Sequence, residues 1–64
     1  MTTRQIEKAI GSGQVVVLKD DPLSRIIKDI FGNLVVESLH REPEPTRLVT
    51  LSDKRRARIQ DKRH

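Results

Sequence analysis

The chain has 64 residues, 34% of them apolar and 34% charged, with a net charge of +4. That length allows one domain at the low end of what folds alone, and the absence of cysteine excludes disulfides and thiolate metal sites. His40 and His64 lie far apart with no ligand spacing around them, so no metal or other cofactor is expected and a partner subunit is the remaining source of stability.

The longest apolar runs, such as Val15 to Leu18 and Leu34 to Val36, are far too short to cross a bilayer. The first ten residues contain Glu7 and lack an apolar signal core, so a soluble, cytoplasmic protein without a membrane partner is expected. An enzyme is not expected. There is no Ser/His/Asp grouping or glycine-rich phosphate loop, and too little chain to enclose a small-molecule substrate.

Charge is unevenly spread. Residues 1–52 balance Arg4, Lys8, Lys19, Arg25, Lys28, Arg41 and Arg47 against Glu7, Asp20, Asp21, Asp29, Glu37, Glu42 and Glu44. The whole excess therefore lies in 53–64, DKRRARIQDKRH. A polyanion held near that segment would release counterions. A small basic DNA-binding regulator using 53–64 as a helix is the alternative function.

In chain order, Thr2-Thr3 followed by RQIEKAI predicts a short capped helix, with Ile6, Ala9 and Ile10 on one face and Gly11 as its stop. Residues 14–19, QVVVLK, read as an interior strand and Asp20-Asp21-Pro22 as a turn. The next stretch is ambiguous. Leu23, Ile26, Ile27, Ile30 and Phe31 follow helical spacing, with Asp21 and Pro22 suited to the start and Gly32-Asn33 to the end, so local physics favours a helix at 22–31 over a strand. LVVESL (34–39) reads as a strand, HREPEPT (40–46) as a loop, and RLVTL (47–51) as a strand. Ser52-Asp53-Lys54 reads as a turn or as the cap of a basic helix, and RARIQ (56–60) as a short last strand.

Residues 29–39, DIFGNLVVESL, resemble the first motif of the Sm and Sm-like (LSm, Hfq-related) RNA-binding proteins: Asp29, Phe31 and Asn33 at alternate positions, then the apolar strand Leu34, Val35, Val36 with Glu37 near its end. The order of elements around it is similar as well. The resemblance implies a mostly β fold, a small, strongly bent, five-stranded open barrel (Sm-like, SH3-type) with a short N-terminal helix. It implies one domain over 1–64, with the first motif at about 14–39, the loop at 40–46 and the second motif at about 47–60. On this reading 23–31 is a strand; the alternative is an α+β fold with a helix at 22–31.

The implied function is a homo-oligomeric closed ring that binds single-stranded, U-rich or A/U-rich RNA. Phe31 would stack a base, Asn33 would read its edge, and Asp29 would orient the loop. The family's second motif carries a hydrophobic-Arg-Gly turn; here Leu51-Ser52-Asp53 stands in its place, with Lys54 or Arg55 as substitutes for the arginine. Asp29, Phe31, Asn33, Ser52, Lys54 and Arg55 are thus the candidate RNA contacts. Leu48, Val49, Leu51, Ala57 and Ile59, on the two strands flanking Ser52-Asp53, are the candidate subunit interface. Arg4 and Lys8 lie on the outer side of the first helix, where they would add to an RNA-binding face. A core position beside Ile27 and Ile30 is the competing place for Phe31.

Overall fold

The computed structural model describes residues 1–41 and 45–60. The centre of the expected loop, 42–44, and the last four residues of the basic tail lie outside the described residues. The elements run α1 (Thr3–Gly11), β1 (Val16–Leu18), β2 (Asp21–Lys28), β3 (Leu34–Ser38), β4 (Arg47–Leu48), α2 (Leu51–Arg56) and β5 (Ala57–Ile59). All five strands join one open antiparallel sheet in the order β4-β3-β2-β1-β5. The expected mostly β class with a short N-terminal helix is what the chain adopts.

Helix α1 starts as its sequence dictates. The Thr2 hydroxyl accepts the Gln5 N–H at 3.2 Å, and the Gln5 side chain accepts the Thr2 N–H at 2.8 Å, a reciprocal capping box. The stop differs from expectation: Gly11 is the last helical residue, and Gly13, at φ +81°, turns the chain away. Ile6 and Ala9 are buried against the sheet. With Val16, Leu18, Ile26, Val36 and Ala57 they form the core, and Met1, Ile10, Leu34 and Val49 pack on its margin.

The helix weighed at 22–31 does not form. Asp21–Lys28 is a strand paired on both sides, with Ile26 opposite Val16 of β1 and Val36 of β3. The β1 side is irregular. Val17 faces Arg25, but Leu18 faces Asp21, so Pro22, Leu23 and Ser24 are passed over by β1. Pro22, which has no N–H to give, sits where β1 asks for none. Asp21 and Pro22 thus belong to the strand, and the turn is at Lys19-Asp20. On the face away from the core, Arg25 and Glu37 form a cross-strand ion pair at 2.8 Å.

The second half departs most from its reading. The strand expected at 47–51 ends at Leu48, because Thr50 caps a helix. Thr50 Oγ1 accepts the Asp53 N–H at 3.2 Å and the Asp53 carboxylate accepts the Thr50 N–H at 2.9 Å, so Leu51 opens α2. Of the two readings of Ser52-Asp53-Lys54, a turn or the cap of a basic helix, the helix forms, with its cap at Thr50 and these residues inside it. Asp53 is 1% exposed. Its carboxylate takes both Arg47 terminal nitrogens and Arg56 Nη2 (2.8 Å), and Arg56 Nη1 reaches Asp20 at 2.9 Å. One buried carboxylate thus ties β4, α2 and the β1–β2 turn together.

The Arg47 hydrogen bond holds the Asp53 carboxyl well below the usual carboxylate range, with Thr50 assisting and burial opposing. His40 and Ser24 lower Asp21 in the same direction. Because the folded values are depressed, this stabilisation is present above the ordinary value of 3.8 and is lost as pH falls toward the folded values. Urea denaturation across acid pH should show stability falling from about pH 5 downward. Asp53→Asn should flatten that slope and cost about 2–4 kcal/mol at neutral pH, below the usual toll for a broken buried pair because both arginines reach water.

Candidate nucleic-acid interface

The β2–β3 connection, residues 29–33, is a turn organised by one side chain. Asp29 Oδ1 accepts the N–H of Phe31 at 2.9 Å and of Asn33 at 2.8 Å. The Asp29 N–H donates to the Asn33 carbonyl (2.9 Å), and the Gly32 N–H to the Asp29 carbonyl (3.0 Å). Gly32 is at φ +81°, a conformation that glycine enters without strain. Asp29 thus orients the loop through Oδ1, as expected of it.

This geometry drives the next two side chains outward. Phe31, the chain's single aromatic residue, is 81% exposed, and Ile30 is 93% exposed. Phe31 is not a core ring beside Ile27. A rigid turn presents its face to solvent, where it is free to stack. The Asn33 side-chain amide makes no hydrogen bond with any described residue, so its donor and acceptor are both available.

Asn33 opens onto a hollow of about 300 Å³, whose wall also holds Gly32, Leu34, Leu48, Val49, Lys54 and, from α1, Thr3 and Glu7. Lys54 is brought there by the capping box that starts α2, and its carbonyl accepts the Met1 amino group at 2.7 Å, which ties the start of α1 to the same place. Of the two residues expected to replace the family arginine, Lys54 shares this hollow with Asn33. Ser52 and Arg55 are exposed on α2 and do not line it.

The other candidates are dispersed. Leu48 (66% exposed) and Leu51 (65%) are open to solvent, and Ile59 is 42% exposed on edge strand β5. Ala57 and Val49 belong to the chain's own core and its margin. Within the expected 53–64 helix, the described residues 53–60 do not form one helix: α2 ends at Arg56, and Ala57–Ile59 is a strand paired with β1. Arg56 is occupied by Asp20 and Asp53, whereas Arg55 and Arg58 are exposed.

Sequence reading missed a cluster at the far end of β2. His40 Nε2 lies 3.0 and 2.9 Å from the two Asp21 carboxylate oxygens, and the Ser24 hydroxyl donates to Asp21 at 2.8 Å. These groups face a cleft of about 200 Å³ that Ser38, Arg47 and Arg56 also line. The carboxylate sits between hydroxyl and imidazole, so Ser24 lacks the adjacent base that would make it a nucleophile. The spacings of 3 and 19 residues offered no motif to find.

Comparison with protein-family models, curated proteins and solved structures finds no match to this chain. Among the described residues, no helix is long and apolar enough to cross a membrane.

Gly32→Ala should cost about 1 kcal/mol in thermal or urea denaturation, because the backbone there is left-handed while a new Cβ meets no atom within 4 Å. Asp29→Ala should loosen the turn and speed hydrogen exchange at the Phe31 and Asn33 amides, leaving Ile6 and Val16 protected.

Proposed function

We propose that this chain is an Sm-like protein that closes into a ring of identical copies and binds single-stranded RNA at the β2–β3 turn of each copy. The observation that carries the reading is the exposed Phe31 on a turn fixed by Asp29, one residue from Gly32 and two from an uncommitted Asn33 amide that shares a hollow with Lys54. A stacking face, an edge-reading amide and a cation for phosphate are what an unpaired nucleotide needs. Duplex DNA offers no splayed base for Phe31 to stack, and α2, the basic helix of the alternative, ends at Arg56 after six residues.

The sheet supports assembly. Its order leaves β4 and β5 as the two edges of the sheet, the places where a strand of another copy can be added. Leu48 is exposed on one edge, and beside the other lies a groove floored by Met1, Ala9, Ala57 and Ile59. Head-to-tail contact between such unlike edges closes into a cyclic ring when the rotation allows. The ring repeats Phe31, Asn33 and Lys54 around one axis. Weak single-base contacts then add as multivalent binding to a run of nucleotides. The resemblance of residues 29–39 to the family implies a U-rich or A/U-rich strand.

Light scattering after size exclusion should give a mass several times 7.4 kDa, and Leu48→Asp should reduce it. A 7.4 kDa species at micromolar concentration contradicts the ring. Phe31→Ala should weaken single-stranded RNA binding by about 1–3 kcal/mol by fluorescence anisotropy. The fold should be unchanged, since the ring buries little. A mutant that unfolds or dissociates would show that Phe31 serves structure.

A further inference from the structure

Glu7 differs from every other described carboxylate. Asp20 and Asp53 pair with Arg56, Asp21 with His40 and Ser24, Glu37 with Arg25, and Asp29 with the amides of its own turn. Glu7 makes no hydrogen bond or ion pair with any described residue, yet it lines the hollow that holds Asn33 and Lys54. Its place follows from the α1 capping box, which sets the helix rotation so that Thr3 and Glu7, four residues apart on one side, face this hollow while Ile6 and Ala9 enter the core.

A free carboxylate repels phosphate, so beside a bound polyanion it is unfavourable unless it accepts N–H groups from a base. The four bases differ in what they offer. Uracil presents one N–H between two carbonyl oxygens, and both oxygens would face the carboxylate. Adenine and cytosine place an amino group beside a bare ring nitrogen, so one carboxylate oxygen gains a donor while the other meets a lone pair. Guanine alone sets a ring N–H and an amino N–H side by side, matching the two oxygens of one carboxylate. Its O6 then needs a donor, which Lys54 and the Asn33 amide supply from the same wall.

We infer that Glu7 makes this hollow a guanine-selective base site. The inference rests on the single-stranded RNA reading above and replaces the U-rich preference that the resemblance implies. Selectivity comes from α1, and the stacking by Phe31 is indifferent to base identity.

The test is fluorescence anisotropy on the full chain with oligo(U), oligo(A) and alternating UG strands of equal length, and with the UG strand carrying inosine for guanosine. The UG strand should bind about tenfold or more tightly than oligo(U), the discrimination of one good bidentate base contact. Inosine, which lacks the 2-amino group, should lose most of that advantage. Glu7→Gln, which preserves helix propensity, should bring the UG and oligo(U) affinities together. Equal or weaker binding of UG, or a preference that survives Glu7→Gln, overturns guanine selectivity while leaving the RNA reading intact. Absence of binding to all four strands overturns the RNA reading itself.

Discussion

The structure depends on β2 being held extended between two neighbours. Leu23, Ile26, Ile27, Ile30 and Phe31 have helical spacing, and a helix over 22–31 would gain local hydrogen bonds and one apolar face. It would also strip β1 and β3 of their shared partner. Val16, Val35 and Val36 are all at least 95% buried, so their orphaned backbone groups would cost about 1–3 kcal/mol each with no water to replace the bonds. Several such losses exceed the local gain. Pairing on both sides therefore decides the conformation, and it carries the next five residues to the end of a hairpin as a tight turn.

That outcome is what exposes the candidate site. In a helix over 22–31, Ile27, Ile30 and Phe31 share an apolar face and seek the core. In the hairpin, Ile26 alone of the run is deeply buried, while Ile30 and Phe31 project from the turn that Asp29 ties. The second half of the chain completes the site from another direction. The Asp53 clamp fixes α2 against β4 and the β1–β2 turn, and α2 in turn sets Lys54 beside Asn33. A buried carboxylate thus serves as the positioning device for a cation that lines the candidate site.

The legible parts of the sequence were those with local causes. The Thr2 cap, the Ile6 and Ala9 face and the β-branched runs around Val16 and Val35 need only their neighbours to be understood. Helix α2 was half legible: Ser52-Asp53-Lys54 read as a turn or as a helix cap, but the capping box is made by Thr50 with Asp53, and Thr50 lies inside a stretch whose apolar residues read as strand. The Asp53 clamp was hidden for a different reason: Asp20 and Arg56 are 36 residues apart and meet only once β1 pairs with β5. The motif residues Asp29, Phe31 and Asn33 were visible as a pattern. Their exposure was not, since it follows from the choice at β2. Glu7 suggested no binding role in the sequence because a carboxylate on a short amphipathic helix is ordinary until the fold shows which hollow it lines.

Amide chemical-shift mapping during titration with a short single-stranded RNA tests the central claim most directly. The largest changes should fall on Phe31, Gly32, Asn33 and Lys54, with Thr3 and Glu7 of α1 following. Changes confined to the chain beyond Arg56, or none at saturating RNA, would contradict a binding site at the β2–β3 turn.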